Sequence, residues 1–266
     1  MVSSKLGMKK YDMLRFWNKR AKEGSNIYEK VCVYGAPPQF NEIMDKIQKC
    51  CLNKLLKQIP DIHCEKILEV GCGVGRWAPL MLSKGAKYFG VDISSEMIRI
   101  AKRKVPEGDF SITNGQKLDF PEGLFDLVFS VTVLHHIPYN KQEKMVQEMR
   151  RVTKKNGYMI IVEDICLASS HFARLKNFDT KRAFNTFPLF LSEWVAIFAK
   201  YDCKCVKIAK HKFLQGYLHF LTRKSSRLTN NSIFKVAWIK VVEKIAASIL
   251  PWNFFYGSAC VFVREH

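Results

Sequence analysis

Apolar positions along the chain fall into two kinds of pattern. Ile67-Leu68-Glu69-Val70 is a short apolar run that ends at Gly71-Cys72-Gly73-Val74-Gly75-Arg76 and passes into helical spacing. Tyr88-Phe89-Gly90-Val91 is a second run, closed by Asp92. Strand, glycine turn, helix and strand together describe a βαβ unit. Ser94 to Lys104 reads as the next helix, with Ser94 or Ser95 as N-cap and Glu96 in the first turn. Upstream, Met13, Leu14, Trp17 and Ala21 lie near helical spacing within Tyr11 to Lys22, and Phe40 to Leu56 resumes a helical pattern after Gly35-Ala36-Pro37-Pro38. Near the C-terminus, Phe234, Trp238, Val241, Ile245 and Ile249 share one helical face, while Lys235, Lys240 and Lys244 lie away from it. Core packing explains such a helix, and so does contact with a membrane surface or a greasy substrate.

The glycine turn carries the candidate chemistry. A dinucleotide loop reads G-x-G-x-x-G, with its third glycine opening the helix that faces a pyrophosphate. Arg76 stands at that third position here, and the glycines recur at every second place after Glu69. A carboxylate beside the turn suits a cationic ligand better than a phosphate. Asp92 lies near the offset of about 20 residues at which a second strand presents an acid to a ribose.

With Glu69, Gly71, Gly73 and Gly75 in the pattern E-x-G-x-G-x-G, the chain resembles the class I S-adenosylmethionine-dependent methyltransferases. In that family the acid in the place of Asp92 accepts from both ribose hydroxyls. The segment from Thr113 to Ser130 resembles the family's loop after the third strand and its fourth strand, with Asn114 where an acid usually meets the adenine amine, and Gln116 as a second candidate for that contact. Val133-Leu134-His135-His136-Ile137-Pro138 matches a motif of one large branch. The resemblance then implies a helix over Lys141 to Val152, a fifth strand over Tyr158 to Val162, a helix over Leu191 to Tyr201 capped by Ser192, a sixth strand over Lys204 to Ala209 and a last strand over Ser258 to Val263.

The implied fold is α/β: a Rossmann-like, seven-stranded, mostly parallel sheet with helices on both faces and an antiparallel last strand. Residues 1–65 form an N-terminal helical extension or lid, and residues 66–266 form the methyltransferase domain, with an insertion at about 212–256. The implied cofactor-binding residues are Glu69, Gly71, Cys72, Gly73, Gly75, Asp92, Ile93, Met97, Asn114, Gly115, Gln116 and Ser130. Trp17 and Arg20 join them from a W-x-x-R-A opening that closes over cofactor in related enzymes, with Tyr28 and Tyr34 as further lid candidates. The cofactor is S-adenosylmethionine, leaving S-adenosylhomocysteine, and no metal is expected.

A sulfonium methyl is already electrophilic, so the protein's main task is to align the acceptor, an effect of up to about 7–11 kcal/mol in well-oriented systems. A hydroxyl or acidic carbon would also need a base, and His135, His136, Glu163 and Asp164 are the candidates, His135 first. Each also has an ordinary reading, as a turn histidine or as a charge marking a strand's exit from the core.

Composition narrows the partners. The 266 residues, 48% apolar, suffice for one elaborated α/β domain. The nine cysteines show no paired C-x-x-C signature, which argues for a reduced, cytoplasmic protein without a disulfide or zinc framework. No apolar run approaches the ~18 residues of a spanning helix. The formal charge is +19, and Lys200 to Lys244 holds 11 basic residues against Asp202 and Glu243. That balance fits a solvated lysine-rich surface or an anionic partner: a metabolite, a phospholipid surface or a nucleic acid. No RNA-binding signature is present, and Ser130-Val131-Thr132-Val133 replaces the tetrad of base-amine methyltransferases. The leading expectation is methyl transfer to an oxygen or carbon of a small or lipid-like acceptor. The alternatives are an RNA (tRNA) methyltransferase and a non-catalytic cofactor-binding or membrane-associated scaffold.

Overall fold

A computed structural model describes residues 12–32, 38–57, 59, 65–113, 116–164, 189, 191–211 and 257–265. Five parallel strands form the centre of the sheet: β1 (Lys66–Val70), β2 (Lys87–Asp92), β3 (Asp109–Ile112), β4 (Phe125–Val131) and β5 (Thr153–Asp164). Beyond β5, β7 (Gly257–Arg264) pairs antiparallel with both β5 and β6 (Cys203–His211), so the strands lie in the order β3-β2-β1-β4-β5-β7-β6. The chain runs outward from β1 in one direction and resumes from it in the other. The crevice where order reverses, at the carboxyl ends of β1 and β4, is where open α/β sheets bind ligands.

Helices cover both faces, which is why the central strands β1 and β4 are buried along nearly their whole length rather than on alternate residues. From α3 (Pro38–Leu56), α4 (Ala78–Leu82) and α5 (Ser95–Lys104), residues such as Leu52, Leu55, Met81 and Ala101 pack on Ile67, Tyr88, Leu127 and Phe129. On the opposite face, Met145, Val146, Met149 and Val152 of α6 (Tyr139–Val152), with Trp194 and Phe198 of α7 (Leu191–Ala199), pack on Leu68, Val70, Val128 and Ile161. Phe198 stacks on Phe262 of β7, ring centroids 3.8 Å apart, and ties α7 to the antiparallel edge. Two short helices, α1 (Met13–Glu23) and α2 (Ile27–Val31), lie N-terminal to these layers. Ala21, Trp17 and Val31 join Val74 and Met97 in a smaller apolar cluster over the glycine turn.

Several boundaries differ from the sequence expectation for local reasons. Helix α6 starts at Tyr139 rather than Lys141, because Pro138 presets φ and its carbonyl accepts from the N–H groups of Lys141 and Gln142 at 2.8 and 3.2 Å. Strand β5 starts at Thr153. Its register against β4 jumps from Phe125↔Thr153 to Leu127↔Tyr158, so Lys154 to Gly157 bulge outward, with Asn156 at φ 60°. Helix α5 takes Ser94 as its cap, the hydroxyl accepting from Met97 N–H. Ser192 is not a cap: α7 begins at Leu191, which puts Ser192 inside its first turn. The insertion at 212–256, with its amphipathic helix, lies outside the described residues, as do Tyr34, Asn114 and Gly115.

Candidate functional site

Glycine is required at the turn after β1 for two reasons. Gly71, Gly73 and Gly75 have φ of 76°, 54° and 73°, in the left-handed region that L side chains rarely adopt. Space is also lacking: a Cβ at Gly71 would lie 2.4 Å from Val133 Cγ2, and one at Gly73 would lie 2.8 Å from Val31 Cγ1. The turn is held by the N–H groups of Gly71 and Cys72, which both donate to Val91 O at 2.7 and 3.0 Å. It therefore rises against the end of β2, where Asp92 waits.

Above the turn opens a cavity of about 820 Å³, counting its mouth. Glu69, Gly71, Cys72, Gly73, Asp92, Ile93 and Met97 line one side, with Thr113 and Arg76. Val133, His136, Ile137 and Met145 line the other, and Met13 and Trp17 of α1 with Val31 of α2 complete the wall.

Asp92 is half-buried, and its carboxylate accepts from Gly73 N–H and Ser94 N–H, each at 2.9 Å. Each oxygen keeps a second lone pair for a ligand hydroxyl. Burial raises its pKa, while those two N–H groups pull it back. Glu69 follows the strand alternation onto the same face as Ile67 and meets Tyr88, whose hydroxyl donates to its carboxyl group. Burial pushes Glu69 up to about 8, against the opposing pull of the Tyr88 hydroxyl and Arg76, so the carboxyl is mostly protonated at neutral pH when no cation is near. The fixed negative charge expected beside the turn is thus a charge that a cationic ligand would induce. Burial also drives the Cys72 thiol far up, which leaves it a neutral wall atom. Arg76, at the third glycine position of a dinucleotide loop, stacks 4.4 Å above Trp77 and is occupied by Asp45 and Gln48 of α3, each at 3.0 Å.

On the opposite wall, β4 ends at Val131 and Thr132 turns left-handed at φ 56°, a conformation costing a β-branched residue about 1–3 kcal/mol. A single 3₁₀ turn, Leu134–His136, follows. Glu163, at the end of β5, accepts from the N–H groups of Val133, Leu134 and His135 at 3.1, 2.9 and 3.2 Å. Its Oε2 also bonds His135 Nδ1 at 2.6 Å. His135 and Glu163 are 3% and 1% exposed, and neither lines the cavity. His136 does line it, with its ring edge-on to Trp17 at 5.1 Å.

The structure therefore brings together most of the cofactor set expected from sequence: Glu69, Gly71, Cys72, Gly73, Asp92, Ile93, Met97 and Trp17 share one wall system. Gly75 faces Phe110 instead, at 3.1 Å from a Cβ built on it, and so shapes the turn from behind. Arg20 is turned away: its guanidinium donates to the carbonyls of Glu29 and Cys32 and ties α1 to the end of α2. Ser130 is fully buried within β4, and Gln116 is not on the cavity wall. Asp164 ends β5 opposite Gly257. Tyr28 is half-buried on α2, where burial and the neighbouring Asp45 and Glu42 raise its pKa. Sequence reasoning missed Val31, Thr113, Met13 and Met145 as wall residues. Their apolar or neutral character gives no chemical signal, and three of them come from helices packed over the crevice. Among the described residues, no group of three or more His, Cys, Asp or Glu is placed to hold a metal ion.

Comparison with known proteins agrees with this geometry. Residues 68–161 match the family described as Methyltransferase domain. An uncharacterised methyltransferase of Bacillus cytotoxicus is 25% identical over 165 residues, 61% of this chain and 74% of that protein. A phosphatidylethanolamine N-methyltransferase of Cereibacter sphaeroides is 35% identical over 117 residues, 42% of this chain; the match spans only 53% of that relative's length. Among solved structures, geranyl diphosphate C-methyltransferase of Streptomyces coelicolor, in complex with Mg²⁺, geranyl diphosphate and S-adenosylhomocysteine, superimposes with a TM-score of 0.65 at 13% identity. That superposition covers 95% of this chain and 97% of the other, and at such identity it speaks to the fold. With the motif on β1, the sheet order and the matched stretch in agreement, residues 68–161 carry a methyltransferase domain within a Rossmann-like fold of the class I S-adenosylmethionine-dependent type.

Proposed function

We propose that this chain binds S-adenosylmethionine and transfers its methyl group to an oxygen or carbon of a small-molecule or lipid-like acceptor. One observation carries the reading: a single cavity joins a wall of carboxyl groups and glycine backbone to a wall of Trp17, Met13, Ile137 and Met145, where His136 is the ionisable side chain. Bound cofactor would supply an electrophilic methyl on a sulfonium. Asp92 would hold the ribose hydroxyls, and Glu69 would ionise beside the cationic end of the ligand. Trp17 and His136 would border the acceptor, with His136 placed to take its proton, a contribution of about 10²- to 10⁴-fold where the acceptor is a hydroxyl or acidic carbon. His135, the first sequence candidate for that role, is better suited to orienting its neighbour, because it is buried off the cavity wall.

The apolar wall and the cover by α1 and α2 favour a compact, greasy acceptor over an extended polymer. The relative named phosphatidylethanolamine N-methyltransferase supports a lipid-like class. An RNA acceptor is the second reading, favoured by the charge of +19. No described helix is long and apolar enough to cross a membrane.

The test is incubation of the chain with S-adenosylmethionine labelled in its methyl group, offered separately to a bacterial lipid extract, a small-metabolite extract and bulk tRNA. Label entering a lipid or metabolite supports the reading. Label entering only tRNA replaces it with the second, and stoichiometric cofactor binding without label transfer points to a non-catalytic scaffold.

A further inference from the structure

Resting on the reading of His136 as the group that faces the acceptor, we infer that Glu163 and His135 are positioning residues: a buried carboxylate and imidazole that lock the strained turn after β4 and brace the His136 ring at the cavity wall.

The turn has reason to resist its own geometry. Thr132 is β-branched and left-handed at φ 56°, so without outside support the backbone would relax toward negative φ and carry His136 with it. Among the described residues, the backbone of the turn is supported from β5. Thr132 N–H donates to Val162 O at 2.7 Å, and the next residue of that strand, Glu163, collects the three following N–H groups. The three described backbone groups that meet the Glu163 carboxylate are all donors, so the carboxylate acts as acceptor and the proton of the 2.6 Å contact resides on His135 Nδ1. One carboxylate therefore fixes both the backbone of the turn and the tautomer and ring plane of His135. The His135 ring centroid lies 4.2 Å from that of His136, which meets Trp17 on its other side at 5.1 Å. Held between a buried imidazole and an indole, His136 keeps one orientation toward the cavity. A simple turn cap would need only the backbone donors; the bond to Nδ1 extends the clamp to the rings.

The experiment is proton and ¹⁵N NMR of the full chain labelled at histidine, with His135 and His136 assigned by single substitution. Wild type should show a far-downfield, slowly exchanging Nδ1–H from His135 and a single narrow set of His136 ring signals. In Glu163→Gln the downfield proton should vanish and the His136 signals should broaden or split, while S-adenosylhomocysteine affinity by calorimetry stays within about threefold of wild type. Adding Thr132→Gly should restore narrow His136 signals in the Glu163→Gln background, because glycine accepts the left-handed backbone without the clamp. Should Glu163→Gln fail to fold, His135→Asn is the second variant: an amide can still donate to Glu163, so the turn persists while His136 loses its ring neighbour and its signals broaden. Unchanged His136 signals in Glu163→Gln, or in His135→Asn, overturn the inference. A wild type that binds no S-adenosylhomocysteine defeats the functional reading instead, and the ring signals report on the clamp either way.

Discussion

At the scale of single residues, Glu69 and Asp92 divide the work of the carboxyl wall. Glu69 is held up to about 8 by burial, so the empty protein carries its proton below that pH, whereas a bound sulfonium or ammonium favours the ionised form. Binding therefore releases a proton, and linkage sets the sign: S-adenosylmethionine affinity should rise with pH from about 6 to about 8, by up to tenfold per unit. Calorimetry at pH 7 in buffers of different ionisation enthalpy should count nearly one proton released, and none in Glu69→Gln. The same shift acts on stability in the opposite sense. A carboxyl raised above its unfolded value stabilises the fold below the ordinary glutamate range, and that contribution is lost as pH climbs toward 8, so Glu69→Gln should raise the Tm of the empty protein at pH 8. Asp92→Asn keeps an acceptor for one of its two N–H donors and should weaken S-adenosylhomocysteine binding by about 1.5–3 kcal/mol for each lost charged hydrogen bond. Unchanged affinity would remove its ribose role. Asp92 was legible in the sequence because a strand end needs no partner to be recognised. The state of Glu69 was not, because it is set by burial that exists only once β1 and β2 are paired and covered, against the pull of the Tyr88 hydroxyl 19 residues away.

At the scale of elements, the glycine turn and the turn after β4 constrain each other. Gly71→Ala must place a methyl within 2.4 Å of Val133 while keeping φ near 76°, so it should cost about 1–3 kcal/mol for the backbone and more for the contact. Chemical denaturation of that variant should show the loss, and the equivalent change at Gly85, also at positive φ but with nothing within 4 Å, should show only the backbone part. Helix α1 is tied down by polar contacts, Ser94 Oγ donating to Asn18 Oδ1 at 2.7 Å, and it reaches the cavity through Met13 and Trp17. Trp17→Ala should therefore leave global stability almost unchanged while raising the release rate of S-adenosylhomocysteine about tenfold, measured by stopped-flow displacement. The β1–β2 unit, α1, α3 and α5 followed from apolar patterning, and the elements after α5 from the family resemblance; α2 was not read, and the ends of several elements were not. Pro138 moved the start of α6, and the bulge at Lys154 to Gly157 lengthened β5, both through backbone bonding that periodicity does not record. The division of labour between His135 and His136 was illegible for a related reason. Adjacent residues on a 3₁₀ turn point different ways, and only the position of Glu163 shows which ring is buried.

At the scale of the whole molecule, the sheet, the motif and the match over residues 68–161 point to a methyltransferase domain, while the acceptor depends on parts that vary. The five parallel strands place the cavity at the point where strand order reverses, and this much follows from the βαβ pattern. Charge of +19 speaks to partners rather than to fold. If the basic residues serve RNA, tRNA affinity should fall steeply with salt and the methylated product should be RNA; if they serve a phospholipid surface, vesicles rich in anionic lipid should bind the chain while tRNA at 150 mM salt does not. The measurement that bears most directly on the whole reading is a pair of calorimetric titrations of the purified chain, one with S-adenosylhomocysteine and one with NADH. Saturable binding of one S-adenosylhomocysteine per chain, with no heat from NADH, is the expected result. Retention of NADH alone would mean that the turn after β1 cradles a pyrophosphate, and the methyltransferase reading would be wrong.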